Sequence, residues 1–92
     1  MRTEQIQIAQ VPALLIGEPG ETVWLVVHGN HGCKEEARAG AQRACPAGAQ
    51  VLGIDLPEHG SRRAAPDRLL PWTAVPELEA VYGALCARWP RV

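Results

Sequence analysis

Val23-Trp24-Leu25-Val26-Val27-His28-Gly29-Asn30-His31-Gly32 is the stretch that decides the fold. Five apolar residues run without a polar break and stop at His28-Gly29. A run so short and so rich in β-branched side chains suits a strand buried on both faces. Gly29 and Gly32 give the next segment a backbone that bends sharply and comes close to a ligand. Lys34-Glu35-Glu36-Ala37-Arg38-Ala39 then reads as a helix start. Strand, glycine loop and helix in succession place the loop at the carboxyl end of a parallel strand, where open α/β sheets bind their ligands.

Working outward, Gln5-Ile6-Gln7-Ile8-Ala9 alternates polar and apolar, the period of a strand with one wet face. Pro12 marks a break or a sheet edge, and Ala13-Leu14-Leu15-Ile16 is a second short apolar run. Gly17-Glu18-Pro19-Gly20-Glu21 is turn chemistry. The short connections suit an antiparallel entry to the sheet. Downstream, the first helix is expected over about Lys34 to Ala44, with Ala37, Ala41 and Ala44 on one face. Glu35 and Glu36 in its first turn and Arg43 in its last match the helix dipole. Pro46 and Gly48 stop it. Val51-Leu52-Gly53-Ile54 is the fourth strand, far enough from the third for a parallel crossover. A second loop, Asp55-Leu56-Pro57-Glu58-His59-Gly60-Ser61-Arg62-Arg63, follows it. Ala64 to Pro71 reads as irregular. The second helix is expected over about Val75 to Trp89, with Pro76 in its first turn and Leu78, Val81, Tyr82, Leu85 and Trp89 as its apolar stripe. Pro90-Arg91-Val92 reads as the approach to a fifth strand.

The bulk numbers narrow the function classes. Ninety-two residues, 47% of them hydrophobic, allow one domain with a small core. Nine basic against ten acidic residues give a net charge of −1 and no electrostatic footprint for nucleic acid or an anionic membrane. No apolar run approaches the roughly 20 residues that span a bilayer. The N-terminal residues lack the apolar segment of a secretory signal, so the default expectation is cytoplasmic. Cys33, Cys45 and Cys86 are odd in number and widely spaced, which argues for reduced, mostly buried thiols rather than a disulfide framework or a zinc pair.

Two motifs carry a resemblance. Val26-Val27-His28-Gly29-Asn30-His31-Gly32-Cys33-Lys34-Glu35-Glu36 and Asp55-Leu56-Pro57-Glu58-His59-Gly60-Ser61-Arg62 resemble two loops of the α/β-hydrolase superfamily, in its small esterase and dienelactone-hydrolase-like branch. The first is similar to the family's His-Gly loop after strand three. The second is similar to its Asp-x-Pro-Gly-His-Gly segment after strand four, with Glu58 where a glycine is usual. The resemblance covers nearly the whole chain but only the amino-terminal third to half of such a domain. It implies a partial α/β-hydrolase sheet: antiparallel strands one and two, parallel strands three and four joined by a helix, and a second helix, cut before strand five.

The resemblance also implies roles. The residue after His-Gly, here Asn30, donates its main-chain N–H to the oxyanion hole, with His28, Gly29, His31 and Gly32 in the same active-site loop. Asp55 and His59 line the pocket. One oxyanion donor is worth about 3 kcal/mol of barrier. The nucleophile elbow, the acid and the histidine base belong to later parts of the family's domain. No triad residue is expected in this chain, and it should lack acyl-transfer activity alone. The intact family acts on a small-molecule ester or acyl substrate, with no metal and no organic cofactor.

Other readings compete at the same residues. His28 reads as structural, and His31 as a solvated loop residue. His28, His31, Cys33, Asp55 and His59 are ligand types on adjacent loops, but their spacing matches no known metal motif. Cys33 near a helix start lacks an evident base, and Ser61 lacks a glycine elbow. Arg62 and Arg63 could hold an anion, against the plainer reading of solvated loop arginines. Cut before strand five, Val23 to Val27 would be an apolar sheet edge. That supports a rival function: a non-enzymatic half-domain that pairs through this edge as a homodimer or with a completing partner chain.

Overall fold

In a computed structural model, residues 2–65 and 68–92 are described. The alternating N-terminal segment forms β1 (Thr3–Ile8), and the next apolar run forms β2 (Val11–Ile16). They make an antiparallel hairpin with Ile8 opposite Val11, so Ala9 and Gln10 alone form the turn. Both have positive φ, 49° and 66°, as a two-residue turn of the primed kind requires. Pro12 lies inside β2 rather than breaking it. Its carbonyl accepts the Asp55 N–H (3.1 Å), past the last paired residue of the neighbouring strand. The missing proline N–H therefore falls where the ladder has ended and costs little.

The deciding stretch forms β3 (Val23–Val27), and β4 covers Gln50–Ile54. The four strands form one sheet in the order β1-β2-β4-β3. β2 and β4 run antiparallel, and β3 and β4 run parallel with Val27 beside Ile54. β4 is buried along its whole length, as expected for an inner parallel strand. The crossover between β3 and β4 opens with a 3₁₀ turn at Lys34–Glu36 and continues as α1 (Ala37–Ala44). A second 3₁₀ turn at Cys45–Ala47 ends it, and Gly48 adopts φ +92°.

The two helices cover opposite faces. Ala37, Ala41 and Ala44 of α1 pack with Leu14, Ile16 and Val51. Val81 and Leu85 of α2 (Pro71–Arg88), with Trp89, pack with Val11, Ala13, Leu15, Val23, Leu52 and Ile54. Small side chains bring α1 very close to the sheet. A Cβ on Gly53 would sit 2.3 Å from the Lys34 carbonyl oxygen and 2.6 Å from the Ala37 Cβ. Beneath the sheet's other end, Trp89 Nε1 donates to Gln50 Oε1 (2.8 Å), and Gln50 Nε2 donates to the Gly17 carbonyl (3.3 Å).

The second helix departs from its expected form. It starts at Pro71 rather than Val75, because Pro71 takes the first helical position and Leu70 is extended. Thr73 Oγ1 accepts the Leu70 N–H (3.2 Å), which fixes that start. Pro76 consequently lies within the helix, and the carbonyl of Trp72 loses its helical donor. Trp72 is 71% exposed, so water can reach that turn. Tyr82, expected in the apolar stripe, is exposed instead, as are Trp72 and Val75. The thiols are also less buried than expected: Cys33 and Cys45 are half-buried, Cys86 is exposed, and all three are free.

β3 is an edge strand. Among the described residues, its side away from β4 holds a single rung: Val23 N–H donates to the Arg91 carbonyl (2.9 Å) and Arg91 N–H to the Glu21 carbonyl (3.0 Å). This parallel bridge pairs Thr22 with Arg91, so Pro90-Arg91-Val92 does start along the edge of β3. Main-chain groups of a strand point alternately to its two neighbours. Those of Leu25 and Val27 therefore face outward, beside the exposed side chains of Trp24 and Val27.

Candidate active-site loops

The loops after β3 and β4 lie side by side because their parent strands are adjacent and parallel. The first loop contains a tight turn. Gly32 N–H donates to the Gly29 carbonyl (3.0 Å), and His31, the third residue of that turn, has φ +66°. A positive φ there, with Asn30 outside the positive range, defines a type II turn. Asn30 is at the exposed tip, and among the described residues nothing accepts or competes for its main-chain N–H.

His28 is buried at the base of this loop. Its Nε2 accepts the Leu56 N–H of the second loop (3.0 Å), and its Nδ1 lies 2.7 Å from the Gly29 carbonyl oxygen. His59 does the converse. Its Nε2 accepts the His31 N–H of the first loop (3.2 Å), and its Nδ1 lies 2.9 Å from the Pro57 carbonyl oxygen. The two rings are 4.9 Å apart, tilted by 44°.

Asp55, expected at a pocket wall, is wholly enclosed beneath the loops. The reason is its hydrogen bonding. Oδ1 accepts the Lys34 N–H (2.7 Å); Oδ2 accepts from Lys34 Nζ (3.1 Å), the Ser61 N–H (3.1 Å) and Ser61 Oγ (2.7 Å). Gly60, with φ +55°, passes so close that a Cβ there would meet the carboxylate. Burial works against the charged form of Asp55, but the bonds from Ser61 and Lys34 outweigh it and hold the carboxyl below its usual range. Burial likewise opposes the charge on Lys34, and Asp55 and Glu35 outweigh it, raising its value. Asp55 is thus a fixed anion pinning the start of the crossover helix to the second loop. The Ser61 hydroxyl is committed to this anion as a hydrogen-bond donor.

Arg62 is buried rather than solvated. It donates to the Asp55 carbonyl (3.1 Å) and makes a two-pronged pair with Glu77 of α2, one arm at 2.9 Å. Arg63 remains exposed, as do Asn30 and His31, whereas His59 and Gly32 are half-buried. Glu58 has φ +68°, so it occupies a conformation that favours glycine. Its Oε2 accepts the Leu69 N–H (2.7 Å). Among the described residues no three His, Cys, Asp or Glu side chains group to hold a metal. No helix among them is long and apolar enough to cross a membrane.

The residue types of both loops are legible in the sequence, whereas the partnering of Lys34 and Ser61 with Asp55, and of Glu77 with Arg62, is not. The one signal pointing to Lys34 was that it is the chain's single lysine, placed at a helix start. The hollow between Gly17-Glu18-Pro19 and Cys45-Pro46, about 390 Å³, lies at the opposite end of the sheet, away from both loops.

No protein-family profile matches the chain, and no curated protein is significantly similar to it. Among solved structures, the crystal structure of TT1662 from Thermus thermophilus superposes with a TM-score of 0.77 at 26% identity. The match covers 98% of this chain and 44% of that one, so the chain spans less than half the length of its structural neighbour. The mixed four-stranded sheet and its two covering helices are therefore an α/β fold whose counterpart is part of a larger chain.

Proposed function

We propose that this chain is the amino-terminal part of an α/β-hydrolase-type domain and contributes the first oxyanion donor of a serine esterase. The observation that carries this reading is the Asn30 N–H, without an acceptor among the described residues, at the tip of a type II turn at the carboxyl end of a parallel strand. The strand order, with β4 between β2 and β3, supports it. A negative charge developing on an acyl oxygen would be stabilised by that N–H and by a second donor following the nucleophile. The nucleophile, the acid and the base would come from outside these 92 residues. The small-molecule substrate would be a carboxylic ester or related acyl compound, and the chemistry needs no organic cofactor.

Fusion of the chain to the carboxyl-terminal part of a serine esterase, one that carries a nucleophile elbow, an acid and a histidine base, tests the proposal. The fusion should hydrolyse p-nitrophenyl acyl esters and be stopped by serine reagents, while the chain alone stays at the heat-killed control. A folded fusion without esterase activity refutes the reading, as does a serine-reagent-sensitive rate from the chain alone.

A second reading is favoured by the single rung that Arg91 makes on the free edge of β3. The remaining outward main-chain groups would then pair with a second copy or a completing partner, and the chain would be a non-enzymatic module. Native mass at micromolar concentration separates the two: a discrete dimer supports the module, and a clean monomer removes self-pairing.

A further inference from the structure

We propose that His28 and His59 are positioning residues which, through a crossed pair of hydrogen bonds, hold the two peptide planes on either side of Asn30. The proposal rests on the esterase reading only for the use to which the Asn30 N–H is put; the crossed arrangement stands on geometry alone.

The first plane joins Gly29 to Asn30. A trans peptide is rigid, and its C=O and N–H point in opposite directions. The Gly29 carbonyl is held by His28 Nδ1 (2.7 Å) and by the Gly32 N–H (3.0 Å). Fixing that oxygen aims the Asn30 N–H the other way. The second plane joins Asn30 to His31, and its N–H is held by His59 Nε2 (3.2 Å). One imidazole therefore governs each plane. His28 in turn is held by the Leu56 N–H of the second loop (3.0 Å), and His59 belongs to that loop. Neither loop can rotate without breaking a bond to the other.

The arrangement imposes one protonation pattern. Each Nε2 receives a main-chain N–H, so it must carry a lone pair. Each Nδ1 faces a carbonyl oxygen, so it must carry the proton. Both rings are consequently neutral, in the Nδ1–H tautomer. A solvated loop histidine has no reason to hold that tautomer, so the pattern separates a built device from two incidental side chains.

Nuclear magnetic resonance on the ¹⁵N-labelled chain reads this without any mutation. Long-range ¹H–¹⁵N correlations should show both imidazoles neutral and protonated at Nδ1. Couplings across the N–H···N bonds should link Leu56 N to His28 Nε2 and His31 N to His59 Nε2. In His59→Ala the His31 amide should exchange at least about tenfold faster, and the Asn30 amide should lose its distinct shift. His59→Gln, whose side-chain oxygen can accept the same N–H, should restore both in part. A proton on Nε2 of either ring overturns the proposal, and so does an Asn30 amide unmoved in a folded His59→Ala. Failure of the esterase reading would leave all these spectra unchanged, so the two outcomes stay distinct.

Discussion

Asn30→Pro removes one atom group of interest, the main-chain N–H at the loop tip, and little else. Asn30 is the second residue of the type II turn closed by Gly32 N–H and the Gly29 carbonyl (3.0 Å), with His31 at φ +66°. Proline is favoured at that turn position because its ring presets φ. Among the described residues the lost N–H has no acceptor, so no internal hydrogen bond is broken. The bonds that hold the neighbouring planes, to the Gly29 carbonyl and from the His31 N–H, do not involve it. Folding stability should therefore change by no more than about 1 kcal/mol, and a rise is as reasonable as a fall because proline restricts the unfolded chain. Catalysis should respond very differently. Loss of one oxyanion donor costs about 3–4 kcal/mol of barrier, a fall in kcat of about 10²- to 10³-fold with KM little changed. The assay is ester hydrolysis by the fusion with the carboxyl-terminal part of a serine esterase, run beside chemical denaturation of the isolated chain. A stable Asn30→Pro variant that keeps most of its kcat would refute the assignment of this N–H to the oxyanion hole.

The buried ion pair makes a pH prediction. The Asp55 carboxyl is lowered on folding, so its contribution is present above the unfolded value of about 3.9 and is lost as pH falls through the lower folded value. Lys34 is raised, so its contribution is present below about 10.4 and is lost as pH rises through the higher folded value. The pair's contribution to the denaturation midpoint should be constant between these limits and fall away outside both. Asp55→Ala leaves Lys34 buried without its main partner and should cost about 3–5 kcal/mol, read as a shift in the urea midpoint; an unchanged midpoint would count against the pair. Gly53→Ala places a Cβ 2.3 Å from a main-chain oxygen that cannot step aside, so it should lose the cooperative transition. Ala9→Asn with Gln10→Gly puts turn residues where φ is 49° and 66° and should raise stability by about 1–2 kcal/mol; a lower melting temperature would disprove the turn assignment.

What the sequence disclosed depended on the range of the physics involved. Hydrophobic period gave the four strands and the alanine face of α1, because burial is written into neighbouring side chains. The hairpin turn was illegible, since Ala9-Gln10 carries none of the usual Asn or Gly marks; pairing of the flanking strands imposes its shape. The start of α2 differs from the expected Val75 because Pro76, by its local chemistry, suits a first helical turn. Pro71, Thr73 and the packing of Val81 and Leu85 prevail over it. At the site, His28, Asn30 and His59 stood out by type and order. The crossed bonds between loops 28 residues apart, and the enclosure of Asp55 by Lys34 and Ser61, are long-range facts that no local pattern encodes. Glu58 is the reverse case: a glycine-like conformation borne by another residue, held by its bond to Leu69.

The distribution of tryptophan turns the unfilled side of β3 into something optically visible. Trp89 is 4% exposed, capped by the Arg88 guanidinium 4.5 Å from its ring centre, and should emit in the blue whatever happens at the edge. Trp24 is 47% exposed on the edge strand itself, so arrival of another strand would withdraw it from water and move its emission. With Trp72 far out on α2 as a solvated reference, the chain carries its own fluorescent gauge of whether that edge is open or occupied.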